Sequence, residues 1–266
     1  MANGLRQKGG NPSSPPYTHD GGYEWDKDLD LSARFDASGE FDRYGLVETF
    51  QQTPGLNADL ANATEATRVP RNRDFEVLGT NATSALVTFG TTTGGIVLTT
   101  DTGSNDQIII LPHLDTKQTA WSQVKWGTEN QTEWECILRV GASIEDLIIW
   151  AGLKLTNTSV VATDADQVFF RFDTVVDNWE ATTSINGTDT ETDTGVVVAV
   201  NTTYKLKIAI DENRVARFYI NGDLVHTTAA LKNDIDLIPY VGVQTTTTAA
   251  KSIGLIKERI SRIVFE

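Results

Sequence analysis

Tyr204-Lys-Leu-Lys-Ile-Ala-Ile-Asp-Glu-Asn-Arg-Val-Ala-Arg-Phe-Tyr-Ile-Asn-Gly-Asp-Leu-Val225 is the stretch on which the fold turns. Tyr204, Leu206, Ile208 and Ile210 alternate with Lys205, Lys207, Ala209 and Asp211. Ala216, Phe218 and Ile220 alternate with Arg217 and Tyr219. Successive side chains of a strand point to opposite faces, so a period of two marks a strand with one buried and one wet face. Asn221-Gly222 follows at the strand end, the dipeptide that tolerates the two positive φ angles of a type I′ hairpin turn. With a second turn over Asp211–Arg214, residues 204–227 predict a three-strand meander.

The same period recurs outward from there. Trp134, Cys136, Leu138 and Val140 take one phase, and Glu133, Glu135, Ile137 and Arg139 the other. Val168, Phe170 and Phe172 alternate with Phe169, Arg171 and Asp173, and Trp179 falls in phase with Ala181 and Ile185, on the core side. Further strands are predicted at 75–79, 84–90, 95–100, 107–112, 147–155, 178–185, 195–200, 239–244 and 260–265. Threonine, β-branched and at home on sheet surfaces, occurs 36 times, against a single Met. A dozen or more short strands without a helix between them predict an all-β, two-sheet antiparallel sandwich over 71–266.

Residues 1–70 read as an extended N-terminal arm. Gly9 to Pro16 is turn and polyproline material, and Asp20 to Asp30 is acidic around Tyr23 and Trp25. Thr53-Pro54 opens a predicted short helix through Ala66, with Pro at its first position and Val69-Pro70 beyond its end.

Charge and composition remove several classes of function. Twenty-two Lys and Arg face 36 Asp and Glu, a net charge of −14 that repels phosphate, so no nucleic acid is expected as a partner. No apolar run approaches a bilayer span, so no membrane partner is expected either. The opening Met1-Ala-Asn-Gly-Leu-Arg lacks an apolar signal region, which predicts synthesis in a cytoplasm. The lone Cys136 sits on the core phase as a small hydrophobe.

Catalytic patterns are missing. Glu133-Trp-Glu135 is the nearest approach to the paired carboxylates of a glycoside hydrolase, but the third acid and its spacing are lacking. There is no Gly-x-Ser-x-Gly elbow, and His19, His113 and His226 have no Ser or Asp partner in sequence. Asp164 and Asp166 share a predicted loop, as do Asp189, Glu191 and Asp193, but neither matches a calcium-loop pattern. The expectation is therefore no enzyme, no cofactor and no metal.

The 204–225 run, with Val168-Phe-Phe-Arg-Phe172, Ile238-Pro-Tyr-Val-Gly-Val243 and Ser261-Arg-Ile-Val-Phe265, resembles a concanavalin A-like (laminin-G-like) jelly roll. A narrower likeness lies in Ile108-Ile-Ile-Leu-Pro-His-Leu-Asp115, Trp121-Ser-Gln-Val-Lys-Trp-Gly127, Trp134-Glu-Cys136 and Ile149-Trp-Ala-Gly-Leu-Lys-Leu-Thr156. These segments look like virion structural proteins of tailed phages, which carry a jelly roll after a variable amino-terminal part. The resemblance implies a particle component. With the arm, it leads to the expectation of a non-enzymatic capsid decoration (cement) protein on the outer surface of the virion. Its expected partners are the major capsid protein and itself, as a homotrimer. The alternative is a tail-fibre or appendage adhesin with a host glycan as partner; the chain shows neither the heptads nor the collagen-like repeats of a fibre.

Within the arm, Tyr17, Tyr23, Trp25, Leu29, Leu31, Phe35, Phe41, Tyr44 and Phe50 are the expected partner-binding anchors, since aromatic side chains dominate interface energy. Phe169 and Tyr219, on the outward phase of their strands, are a second, weaker partner-binding surface.

Overall fold

The computed structural model describes residues 34–35, 43–56, 72–112, 120–156 and 164–264, with backbone alone at 34, 35, 72 and 73. They form a two-sheet sandwich. Sheet A runs in the order β1 (Arg34–Phe35), β2 (Arg43–Glu48), β18 (Ser252–Ile263), β9 (Glu133–Val140), β14 (Thr203–Ile210), β15 (Val215–Ile220) and β16 (Asp223–Ala230). On the β2 side of β18, β6 (Ile96–Thr99) also pairs with it and carries β5 (Val87–Phe89). Sheet B runs β13 (Thr188–Val197), β12 (Asn178–Ile185), β11 (Gln167–Asp173), β10 (Leu147–Lys154), β17 (Asp236–Thr245), β7 (Gln107–Pro112), β4 (Asn72–Leu78) and β3 (Pro54–Leu56). Short β8 (Trp126–Gly127) pairs with β17, and one helical turn, α1 (Ala120–Gln123), precedes it. All pairings are antiparallel except β3 with β4.

The meander forms as its alternation requires: β14 pairs with β15, and β15 with β16. Asn221 and Gly222 have φ of 55° and 99° at the β15–β16 turn, the geometry this dipeptide permits. The inward faces of both sheets interlock through aromatic rings. Phe170 of sheet B meets Phe218 of sheet A edge-on at 5.0 Å, and Trp179 of sheet B meets Tyr204 of sheet A at 5.6 Å. Trp134, Cys136, Leu138 and Val140 are all sealed in this core. Burying such rings on both sides of one seam is what holds the sheets together, with truncation of one costing about 3–5 kcal/mol.

Three expectations change. The sandwich reaches into the stretch read as an arm: β2 pairs with Glu258–Ile263 of β18, and β3 with β4. The 70/71 boundary therefore cuts through two sheets. The Thr53-Pro54 opening leads into strand β3, not a helix, since Pro54–Leu56 lies along β4; residues 57–66 of that predicted helix lie outside the described residues. Residues 188–194, read as an acidic loop, are most of β13, and the strand predicted at 195–200 is only its last part. β13 is a sheet edge; its alternating Thr and Asp/Glu hide the strand from a hydrophobic reading, and charges of this kind discourage pairing with another chain.

Candidate functional site

The outer faces of the two sheets differ in kind. On sheet A several outward residues are charged and paired in water. Lys207 reaches Glu133 at 2.8 Å and Lys205 reaches Glu135 at 3.2 Å, while Arg217 holds Asp211 at 2.9 Å. Glu133 and Glu135, the nearest approach to a hydrolytic pair, are thus each matched with a lysine on a flat, wet sheet. Tyr219 lies half-buried there, its ring 5.9 Å from the Lys207 ammonium. His226 sits beside the Phe218 ring at 6.0 Å.

The middle of sheet B's outer face is dry, while its edge strand β13 is open to water. Ile109, Leu111, Trp150, Phe169, Ile238 and Tyr240 pack there as a second apolar cluster, distinct from the core between the sheets. Phe169 is 5% exposed and Tyr240 is 0% exposed, although both point away from that core. Their rings meet at 6.1 Å across Gly152, whose backbone partners in the flanking strands are these same two residues. A Cβ at Gly152 would stand 2.5 Å from the Phe169 backbone, so only glycine admits this approach.

Polar groups share the dry face. Lys154, fully buried, ion-pairs with Asp164 at 3.0 Å, and its ammonium lies 5.4 Å from the Tyr240 ring centre. Burial pulls the Lys154 pKa down, and Asp164 opposes that shift. Asp164 also accepts from the Thr156 hydroxyl at 2.6 Å. Burial, reinforced by Asp164 and Asp189, holds the Tyr240 phenol well above its ordinary range, and the hydroxyl has no hydrogen-bond partner. Next to this cluster Arg171 bridges Glu180 and Asp173, both at 2.7 Å, with Glu191 at 3.5 Å. Burial raises the Glu180 pKa despite the Arg171 contact.

Of the acidic residues considered as calcium ligands, Asp164, Asp166, Glu191 and Asp193 have partners within the chain. Asp164 has Lys154; Asp166 accepts from Lys232 at 3.2 Å and from the Asn186 N–H at 3.1 Å; Asp193 accepts from the Asn178 amide at 2.9 Å. Among the described residues no three His, Cys, Asp or Glu are grouped to hold a metal ion. Cys136 is buried, its thiol pKa pushed well up by desolvation and by Glu258 and Glu135.

Of the predicted anchors, Tyr17, Tyr23, Trp25, Leu29, Leu31 and Phe41 lie outside the described residues, as do His19 and His113; Phe35 lies on β1, described by its backbone alone. Phe50 is corrected: it is fully buried in the sandwich core, 5.3 Å from Phe75, which in turn meets Trp121 at 4.9 Å. Tyr44 packs half-buried against the same core, stacked 6.1 Å from Trp126. Phe169 is corrected as an accessible contact, because its outward face is closed to water. The reading missed Trp150, Lys154 and Tyr240, although their strands carried a signal. Leu147-Ile-Ile-Trp-Ala-Gly-Leu is an unbroken apolar run, the pattern of a strand buried on both faces.

No protein-family model and no curated protein matches the chain. Solved structures do. A protein of unknown function from Shewanella oneidensis MR-1 is similar at TM-score 0.58 and 13% identity, over 91% of this chain and 93% of that one. A β-glucanase of Bacillus licheniformis is similar at TM-score 0.53 and 11% identity, over 81% and 97%. A structure described with endo-acting O-glycanases of human gut microbiota is similar at TM-score 0.53 and 9% identity, over 82% and 99%. At such identities the likeness establishes the fold alone, a two-sheet antiparallel jelly-roll sandwich. Two of these three structures bear the names of enzymes, so the scaffold is one on which carbohydrate chemistry occurs; a fold alone does not assign it.

Proposed function

We propose that this chain is a non-enzymatic structural protein of a tailed-phage virion, a decoration subunit that binds the major capsid protein on the outer surface of the head. The observation that carries the non-enzymatic half is the closed outer face of sheet B. A cleft for a polymer needs an open, solvated surface with a few polar groups aimed into it. Here that face is filled by Trp150, Phe169 and Tyr240, and its charges face one another. Glu133 and Glu135, the nearest approach to a hydrolytic pair, lie against lysines on the opposite sheet. Together these two faces support the reading of a scaffold rather than a hydrolase. The virion half rests on the likeness of segments 108–115, 121–127 and 149–156 to phage particle proteins. Residues 1–42 supply attachment through Tyr17, Tyr23, Trp25, Leu29, Leu31 and Phe41, and the subunit acts as a homotrimer.

The test is occupancy. Full-length chain and a variant lacking residues 1–42, which keeps β2 and β3 in their sheets, are added to particles stripped of the protein. Full-length chain is expected to restore the outer capsid density and the truncated chain to remain in solution. Equal occupancy would remove attachment from the arm, and failure of the full-length chain to bind any particle would remove the virion reading.

A further inference from the structure

The β5–β6 hairpin stands beside a hollow that the foregoing reading does not use. Its loop, Gly90-Thr-Thr-Thr-Gly-Gly95, is closed by the Gly90 N–H donating to the Gly95 carbonyl and the Gly94 N–H to the Gly90 carbonyl, both at 2.9 Å. β6 lies against Ser252–Leu255 of β18, and the other edge of β18 carries Arg139 and Val140 of β9, with Gly254 opposite Arg139. Between hairpin and strands is a hollow of about 250 Å³.

Three features point to a ligand. The first is Arg139, the only charged residue lining the hollow. Arg43, Arg171 and Arg217 hold carboxylates, and Arg214 and Arg262 donate to carbonyls. Of the arginine side chains among the described residues, that of Arg139 alone is half-buried with neither kind of partner. In a chain with 36 acidic and 22 basic residues, a half-buried guanidinium with neither a carboxylate nor a carbonyl partner stands out. The second is Phe89, which is 54% exposed and the only exposed aromatic among the described residues. The third is the polar lining: the hydroxyls of Thr91, Thr92, Thr93 and Ser252. Gly254 keeps the floor low, with no side chain to fill the space over β18.

We infer that this hollow binds one acidic ring of a saccharide, with Arg139 forking onto the ring carboxylate and Phe89 stacking against its C–H face. A planar guanidinium matches a carboxylate through two parallel hydrogen bonds. Threonine and serine hydroxyls both donate and accept, as sugar hydroxyls do. The volume lies just under the roughly 300–1,000 Å³ of drug-sized sites, which suits one or two rings. An acidic peptide is disfavoured because the floor strands β6, β18 and β9 are each paired on both sides and offer no free edge for strand addition. The inference is independent of which particle carries the chain.

The test titrates the full chain with trigalacturonate, with neutral maltotriose and with triglutamate, following backbone amide resonances. Trigalacturonate is expected to shift Thr91–Thr93 and Gly254, and maltotriose to bind at least about tenfold more weakly. Arg139→Gln is expected to lose about tenfold in affinity, and the exposed Phe89→Ala to weaken binding further. Gly254→Leu should block the hollow; a Cβ there meets nothing nearer than Arg139 Cβ at 3.4 Å, so the strand accommodates it. The inference is overturned by no trigalacturonate binding at millimolar concentration, by equal affinity for maltotriose, by tighter binding of triglutamate, or by an Arg139→Gln variant that binds unchanged.

Discussion

Sheet A and sheet B handle charge in opposite ways. Sheet A wears it outside, where Glu133, Glu135, Lys205 and Lys207 pair in water. Sheet B keeps Lys154 and Asp164 on its outer face but out of water, among aromatic rings. The surface pair is screened and worth little; the buried pair is strong only while both partners are present. The difference teaches which face is free for partners. Sheet A presents a solvated, polar surface with an open hollow at one end, whereas the outer face of sheet B is a second core and stabilises the molecule.

The largest test of that contrast is an acid that sheet A buries completely. Glu258 is fully buried and accepts from the Trp134 indole N–H at 2.8 Å, while its second oxygen has no partner. Burial, aided by Glu48 and only partly offset by the Trp134 hydrogen bond, pushes its pKa from 4.5 to about 8. Folded chains therefore hold this proton up to about pH 8, and unfolded chains release it near 4.5. Between those values the unfolded state binds fewer protons, so stability falls as pH rises, by on the order of 4–5 kcal/mol in all. Glu258→Gln should remove that fall. Urea unfolding of both proteins at pH 4 and pH 8 is expected to show the variant gaining relative to wild type at the higher pH. An unchanged difference would mean that sheet A buries a charged carboxylate, and the contrast would fail.

Next in size is Asp164→Ala. It takes the Asp164 carboxylate from buried Lys154, and loss of one partner of a buried pair costs about 3–5 kcal/mol. Replacing both, as Lys154→Met with Asp164→Leu, should recover most of the loss, because an apolar pair suits the surroundings of Trp150 and Tyr240. A single-variant loss under about 1 kcal/mol in urea unfolding would indicate a surface pair and a wet face.

The same contrast explains how far the sequence was legible. On sheet A one face is wet, so alternation in 133–140 and 204–220 maps directly onto burial, as the strand patterns of β9 and β15 show. In the middle of sheet B both faces are dry, and β10 and β17 are buried almost throughout. A period-two reading of the neighbouring β11 puts Phe169 outside, which is right, and then into solvent, which is not. Phe50 was misread for a related reason: a short segment far from the body in sequence, without its own period, shows nothing of the strand it pairs with. Arg139 was legible only as an outward residue, since its lack of a partner emerges when β6, β18 and β9 come together.

The smallest expected effect is on sheet A's own pairs, and it is the sharpest check on the assignment of that face. Glu133→Gln and Glu135→Gln each remove one carboxylate that a lysine meets across the sheet, both partners being at least partly open to water. Exposed pairs of this kind contribute about 0.2–1 kcal/mol and fade as salt rises. Urea midpoints of the two variants should sit within that margin of wild type at low salt and merge with it at high salt. The Asp164→Ala loss, taken in the dry face, should persist across the same salt range. Release of reducing ends from any polysaccharide, present in the wild-type chain and abolished by Glu135→Gln, would make sheet A a catalytic face. A salt-insensitive loss of several kcal/mol would make it a second dry one. A small, salt-screened change without such release leaves sheet A as the solvated surface on which partner and ligand contacts have to be sought.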